Sequence, residues 1–144
     1  IGATVACLVL ANSHFVGIWA GDSRIYRFRD GEIQMLTADH SIVATLVQSG
    51  QLTWDEAEQH PQSNAITRAV GVGEELELDK VRGEVEPGDR FLLCSDGLTK
   101  YATFGMLEKV LAQSPLETIT DRLIQIALDG GGADNITVIV VDVD

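Results

Sequence analysis

Strand-like runs fill the first quarter of the chain. Residues 5–10 and 15–20 are nearly continuous apolar runs, and residues 25–29 and 32–36 alternate with the two-residue period of β-strands. A short turn at 11–13 separates the first two runs, and Asp30-Gly31 separates the last two. An Asp-Gly pair between alternating runs is a strong hairpin signal. The pattern therefore predicts four antiparallel strands, joined as two hairpins.

The spacing of the apolar residues becomes helical in the middle of the chain. Residues 41–48 have a helical spacing of apolar residues, which ends before Ser49-Gly50. Thr53 and Glu56 then have the spacing of a capping box, which predicts the start of a second helix. Few bulky apolar residues follow in 62–77, which is typical of a mobile excursion from the main body. We therefore predict two short helices within a flap-like excursion over about residues 41–72.

The second half returns to strands and contains two further helices. An apolar stripe over 104–111 predicts one helix, and Ser114 as N-cap before Pro115 predicts the start of the next. The predicted strands are 78–85, 90–95 and 136–143. This order of elements predicts an α+β layered sandwich rather than a parallel βαβ sheet.

Length and composition indicate one globular domain, residues 1–144, with 45% hydrophobic and 22% charged residues. The net charge of −12 disfavours nucleic-acid and anionic-lipid partners. No apolar run approaches the roughly 18 residues of a spanning helix, and no basic signal peptide precedes the first strand, so we predict a cytoplasmic protein without a membrane partner. Because the chain enters a strand directly without an initiator Met, we interpret it as a fragment or processed piece.

The two cysteines, Cys7 and Cys94, both lie inside apolar strand-like runs. Thiols in such positions most often act as small buried hydrophobes, so we expect both to be buried. A disulfide between them stays open at this point.

Three aspartates each lie where a predicted strand meets a glycine-containing turn: Asp22, Asp96 and Asp134. Glycine lets the backbone approach a ligand closely, and a carboxylate at a strand end can point into a shared cleft. Carboxylates without neighbouring paired Cys or His favour a hard cation such as Mg²⁺ or Mn²⁺ over structural zinc.

Each of these aspartates also has an ordinary explanation. An Asp beside a Gly is common turn chemistry, in which the carboxylate accepts from local N–H groups. The run at 130–135 is also faintly similar to a calcium-binding β-helix repeat, although it occurs once. An acidic calcium-binding β-domain therefore stays an alternative.

Seven short motifs, taken in order, resemble the metal-dependent serine/threonine protein phosphatases of type 2C, with the bacterial members closest in style. They run nearly end to end: Gly2-Ala3-Thr4, Ala20-Gly21-Asp22-Ser23-Arg24, Leu36-Thr37-Ala38-Asp39-His40-Ser41, Asn64-Ala65-Ile66-Thr67-Arg68-Ala69-Val70-Gly71, Pro87-Gly88-Asp89, Leu93-Cys94-Ser95-Asp96-Gly97-Leu98 and Gly131-Gly132-Ala133-Asp134-Asn135-Ile136-Thr137-Val138. Each motif is weak alone, whereas the ordered set makes chance agreement improbable.

The resemblance implies a four-layer sandwich, with two antiparallel β-sheets flanked by helices and a binuclear Mg²⁺/Mn²⁺ centre at one end. A metal-bridging water would attack phosphoserine or phosphothreonine of a phosphoprotein substrate. Asp96 and Asp134 would be ligands of the metal pair, and Asp22, with Asp96, would hold a weaker third ion. The supporting residues would be Asn135, Gly97 and Ser95.

Several neighbouring polar residues are interpreted as structural. Arg24 and Asp39 are expected to support the fold, and His40 is expected to make a structural hydrogen bond. Cys94 is expected to pack rather than to act as a nucleophile. The acidic cluster at 74–79 is interpreted as a solvated loop.

The chain departs from the family pattern in two places. The family's N-terminal strands and helices are absent, together with an Asp-Gly-x-Gly-Gly loop whose Asp bridges both metals. Lys100 stands where many members carry a second acidic residue four positions after Asp96, which disfavours the third metal. We therefore predict low activity for this chain alone, and an upstream segment or self-association that covers exposed sheet edges.

The sequence thus favours the C-terminal part of a phosphatase catalytic domain. The alternative is a non-catalytic phosphatase-like module that binds or regulates a partner.

Overall fold

The computed structural model describes residues 3–62, 65–67, 78–132 and 135–144. Within these residues the chain forms seven strands and five helices, and the strands make two sheets in which every neighbouring pair is antiparallel. The predicted α+β architecture of two antiparallel sheets with helices is therefore confirmed.

The three-stranded sheet has the order β1-β2-β5 and the four-stranded sheet the order β4-β3-β6-β7. Their strands are β1 (Val5–Ala11), β2 (His14–Ala20), β3 (Arg24–Arg29), β4 (Glu32–Met35), β5 (Asp79–Glu84), β6 (Arg90–Cys94) and β7 (Val138–Asp142). Both predicted hairpins are confirmed. Each turns through two residues of positive φ, Asn12 and Ser13 in one and Asp30 and Gly31 in the other, as tight turns between twisted strands require.

The helices are α1 (Ala44–Gln48), α2 (Trp54–Glu58), α3 (Asp96–Thr99), α4 (Phe104–Gln113) and α5 (Leu116–Asp129). The predicted capping box is confirmed, since Thr53 accepts from the Glu56 amide and the Glu56 side chain accepts from the Thr53 amide. Among the described helices none is long and apolar enough to cross a membrane.

The predicted N-cap at Ser114 is wrong by one residue, because Pro115 occupies the N-cap position of α5. The Ser114 hydroxyl lies 3.3 Å from Arg122 Nη1, and its carbonyl accepts from Arg90 Nη1 at 2.7 Å. Ser114 therefore forms hydrogen bonds with two arginine side chains and does not cap the first turn of α5.

The main core lies between the four-stranded sheet and the pair α4 and α5. Tyr26 and Leu92 of the sheet are fully buried in one cluster with Leu107 and Leu123 of these helices. The other face of the sheet packs on the three-stranded sheet, where Phe15 meets the Phe91 ring edge to face at 5.4 Å. Sheet, sheet and helices give three of the four expected layers in the described residues.

The expectation that both cysteines are buried is wrong for Cys7. Cys94 is buried, whereas Cys7 is exposed, and both are free thiols. Cys7 shares the outer face of the edge strand β1 with Val9, which is 53% exposed. An apolar strand pattern predicts a strand but does not tell which of its faces is covered.

The first part of the predicted excursion is packed against the main body. Val43 and Ala57 are buried, and the Asp55 carboxylate accepts from the Phe104 amide at 3.3 Å. Residues 63–64 and 68–77 lie outside the described residues, so the mobility expected for 62–77 stays a prediction.

Candidate metal centre

The chain changes from one sheet to the other between β2 and β3, and Asp22 lies in this crossing. Arg24 at the start of β3 pairs with Cys94 at the end of β6. Asp22 precedes Arg24 by two residues and Asp96 follows Cys94 by two, so the antiparallel register places both aspartates at the same end of the sheet.

Asp22 is buried and carries the signature of crowded negative charge. Burial raises its pKa to about 7, and the neighbouring carboxylates of Asp96, Asp39 and Glu58 add to the rise in that order. Gly21, directly before it, has φ of 103°, which is a conformation for glycine. A cation beside Asp22 and Asp96 would favour the charged form of Asp22.

Asp96 is the first residue of α3, directly after β6. The Lys100 ammonium nitrogen lies 3.5 Å from Asp96 Oδ2, and both side chains are about three-quarters buried. Lys100 thus gives Asp96 a positive neighbour from within the chain.

The predicted supporting residues lie against one another at the end of β6. The Ser95 hydroxyl donates to the Asn135 carbonyl at 3.3 Å and accepts from the Thr137 amide at 3.0 Å. A side chain at Gly97 would overlap the Asn135 carbonyl oxygen, so only glycine permits this approach. Asp134, the chain neighbour of Asn135, lies outside the described residues.

Arg24 is buried at the centre of a polar cluster next to Asp22. Its guanidinium is bidentate to Asp39, at 2.8 Å for the closest pair, and donates to Glu58 Oε1 at 2.6 Å and to the Tyr26 hydroxyl at 3.0 Å. The Trp54 ring covers it, with its centroid 5.2 Å from Cζ. Arg24 therefore joins α2 to the four-stranded sheet.

Glu58, the last residue of α2, connects this helix to Arg24. Burial raises its pKa to about 7, although Arg24 opposes the rise. The sequence offered no signal for Glu58 beyond its place in a short acidic helix, because its partner lies in a distant strand.

His40 packs against the crossing that carries Asp22. Its ring nitrogens contact the Gly21 amide at 3.0 Å and Asp79 Oδ2 at 2.7 Å, and the ring stacks on Trp19. The interpretation of the acidic cluster at 74–79 as a solvated loop is wrong for Asp79 in one respect: it is half-exposed, but it begins β5, within the predicted strand 78–85, and contacts His40. Residues 74–77 lie outside the described residues. A carboxylate at a strand start is the signal that could have indicated this role.

Cys94 lies beneath the same site but is not prepared for nucleophilic chemistry. Burial raises the pKa of its thiol to about 12. A thiol so far from its thiolate form is unreactive, in line with the expected packing role.

The donor set fits a hard cation in part. Asp22 and Asp96 supply carboxylate oxygens, the ligands that Mg²⁺ and Mn²⁺ prefer. Within residues 3–62, 65–67, 78–132 and 135–144, no group of three or more His, Cys, Asp or Glu side chains is arranged to hold a metal. A complete centre on this chain therefore needs donors in addition to the described carboxylates.

Comparison with known proteins agrees with the motifs. Residues 4–144 match the family model described as Stage II sporulation protein E. The chain is 41% identical over 143 residues to the serine/threonine protein phosphatase PstP of Mycobacterium tuberculosis, covering 99% of this chain and 28% of PstP. It is 39% identical over 145 residues to protein phosphatase PhpP of Streptococcus pneumoniae, covering 100% of this chain and 59% of PhpP.

Solved structures share the fold at similar identity. The crystal structure of M. tuberculosis PstP superposes with a TM-score of 0.90 at 40% identity, over 99% of this chain and 60% of that one. A structure of the PstP catalytic domain in complex with two manganese ions gives a TM-score of 0.86 at 37% identity, over 99% of this chain and 60% of that one.

The chain spans no more than about three-fifths of the length of these relatives. The match nevertheless covers nearly all of this chain, and the two antiparallel sheets with helices agree with the solved structures. The chain belongs to the bacterial metal-dependent protein phosphatases of type 2C, and it corresponds to the C-terminal portion of their catalytic domain.

Proposed function

We propose that this chain forms the C-terminal part of the active site of a protein phosphatase that hydrolyses phosphoserine and phosphothreonine with bound Mg²⁺ or Mn²⁺. The activity named for PstP and PhpP supports the proposal, and so does the manganese bound by the PstP catalytic domain. The substrate would be a phosphoprotein, and the single domain 1–144 would be completed by the remaining part of the catalytic domain.

The observation that carries the proposal is the Asp22–Asp96 pair. The two carboxylates lie at one end of the sheet, where burial, and after it the charge of Asp96, raises the pKa of Asp22 to about 7. Strongly shifted pKa values of this kind cluster at functional sites. A divalent cation would offset the repulsion.

The roles follow the positions of the residues. Asp96 and Asp134 would hold the metal pair, and Asp22 with Asp96 would hold a weaker third ion. Ser95, Gly97 and Asn135 would keep the two loops together. When bound, the metals would supply a nucleophilic water at neutral pH.

The test is Mn²⁺-dependent hydrolysis of p-nitrophenyl phosphate by two proteins. One is this chain, and the other is a chimera in which the N-terminal part of S. pneumoniae PhpP that has no counterpart here precedes it. We expect strong activity in the chimera and little in the chain alone, because two described carboxylates hold Mg²⁺ or Mn²⁺ poorly.

Substitutions in the chimera assign the activity to this chain. Asp96→Asn is expected to abolish hydrolysis, whereas Asp121→Asn, an exposed position on α5, is expected to leave it unchanged. Equal activity in the Asp96→Asn chimera would contradict the proposal. A folded chimera that binds no Mn²⁺ would favour the non-catalytic module, for which the Lys100–Asp96 ion pair is the supporting observation.

A further inference from the structure

The turn that carries Asp22 is held by reciprocal hydrogen bonds with His40. The Gly21 amide donates to His40 Nδ1 at 3.0 Å. The His40 amide donates to the Gly21 carbonyl at 2.9 Å. Both backbone groups of the glycine before Asp22 are therefore satisfied by one residue from the segment after β4.

This arrangement selects the tautomer of the His40 ring. A backbone N–H only donates, so Nδ1 must accept and the ring proton lies on Nε2. Nε2 then donates to Asp79 Oδ2, which is 2.7 Å away. The result is a chain from the Asp79 carboxylate through the imidazole to the Gly21 amide.

The ring has little freedom to leave this position. His40 is 9% exposed and stacks on Trp19 at a centroid distance of 5.9 Å and an angle of 14°. The Trp19 indole N–H donates to the Ala38 carbonyl at 2.8 Å, which ties the segment of His40 to the end of β2. Asp79, at the start of β5, holds the far side of the ring.

We propose that His40 is a positioning residue: anchored by Asp79, it holds the Gly21 turn so that the Asp22 carboxylate faces Asp96 and can bind a divalent cation. The inference rests on the proposed function of Asp22 as a metal ligand. His40 itself contacts neither the cation nor the substrate.

Two substitutions separate the two ends of the ring. In His40→Asn the side-chain oxygen can take the place of Nδ1 and keep the Gly21 bond, while the contact with Asp79 is lost. In His40→Gln the longer side chain can reach Asp79, while the Gly21 amide loses its partner. The matched controls are His14→Asn and His14→Gln, because His14 is exposed at the opposite end of β2.

Two measurements are made on each variant: hydrogen exchange of the Gly21 amide in this chain by NMR without metal, and Mn²⁺ affinity by titration of the chimera with the N-terminal part of PhpP. We expect wild type to protect the Gly21 amide most strongly, and His40→Asn, which keeps the Gly21 bond but loses the Asp79 anchor, to retain most of this protection and of the Mn²⁺ affinity. His40→Gln is expected to lose protection and to bind Mn²⁺ about tenfold more weakly, the usual cost of losing a group that orients a ligand. A general loss of folding would instead affect amides throughout the chain.

Equal Mn²⁺ affinity in His40→Asn and His40→Gln, with Gly21 protection lost only in the latter, would overturn the positioning role and leave the metal function intact. Unchanged hydrogen exchange of the Gly21 amide in both variants would also overturn the positioning role, because it would show that the bond to His40 does not hold the turn. Absence of Mn²⁺ binding by the folded wild-type chimera would instead overturn the proposed function, and Gly21 exchange would still decide whether His40 holds the turn.

Discussion

The Lys100 ammonium nitrogen lies 3.5 Å from Asp96 Oδ2, one helical turn further along the chain. The positive charge of Lys100 therefore already neutralises the carboxylate that a metal ion would bind. Lys100 also faces Glu58, whose pKa it acts to lower. This placement makes Lys100 a competitor of any cation that approaches Asp96 from its side.

Replacing Lys100 by Ala is expected to strengthen Mn²⁺ binding by about two- to fivefold, because a partly exposed ion pair contributes up to about 1 kcal/mol. Titration calorimetry of the chain measures the change. Lys109→Ala, an exposed lysine on α4, serves as control and is expected to change nothing. Weaker binding in Lys100→Ala would show that Lys100 supports the site.

Gly97→Ala is expected to destabilise the chain by about 1–3 kcal/mol, as overpacking does. The added methyl group would overlap the Asn135 carbonyl oxygen and push the loop after residue 134 away from α3. The free energy of unfolding in urea measures the effect. Gly105→Ala is the matched control, since the nearest atom to its added methyl group is 4.0 Å away; it is expected to preserve stability or raise it slightly. Equal stability of both variants would contradict the close packing at Gly97.

Local signals in the sequence predicted the elements that depend on near neighbours. The turn at Asp30-Gly31 and the capping box of Thr53 and Glu56 both join residues within four positions, and both are confirmed. The four-residue helix α3 was missed, because so short a helix carries no periodicity. The predicted strand 136–143 begins two residues before β7 and ends one residue after it, since β7 is Val138–Asp142.

The candidate site was predictable only as a set of motifs. The apolar run at 15–20 and the alternation in 25–29 predict strands. They do not tell that β2 and β3 belong to different sheets, so the crossing at Asp22 could not be foreseen. The contacts of His40 with Asp79 and of Arg24 with Glu58 join residues 39 and 34 positions apart. Such long-range partners follow from the three-dimensional path of the chain, which no local pattern encodes.

Arg24→Met is expected to destabilise the chain by about 3–5 kcal/mol, because it leaves the buried carboxylates of Asp39 and Glu58 without their common partner. Urea unfolding followed by tryptophan fluorescence measures the loss, and Trp54 above Arg24 reports on the site directly. Arg82→Met on the exposed side of β5 is the control. An unfolding midpoint equal to that of wild type would show that Arg24 does not hold α2.

Acid stability is expected to depend on Asp89, which is buried and bidentate to Arg29 at 2.7 and 2.6 Å. The hydrogen bonds from Arg29, helped by the Glu86 amide, lower the pKa of Asp89 below its ordinary value. Because the folded state releases this proton more readily than the unfolded state, the contribution of Asp89 is present at neutral pH. It is lost as the pH falls below about 4, where the carboxylate is protonated first in the unfolded chain.

Asp89→Asn removes this titration but keeps the size of the side chain, so it is expected to lower stability at pH 7 and to flatten the decline of stability between about pH 4 and pH 2. The measurement is the free energy of unfolding in urea across this range. Asp121→Asn, an exposed carboxylate on α5, is expected to keep the wild-type slope. If Asp89→Asn kept that slope as well, the acid dependence would belong to other carboxylates, and the Arg29–Asp89 pair would not connect β3 to the turn before β6 in the way its geometry indicates.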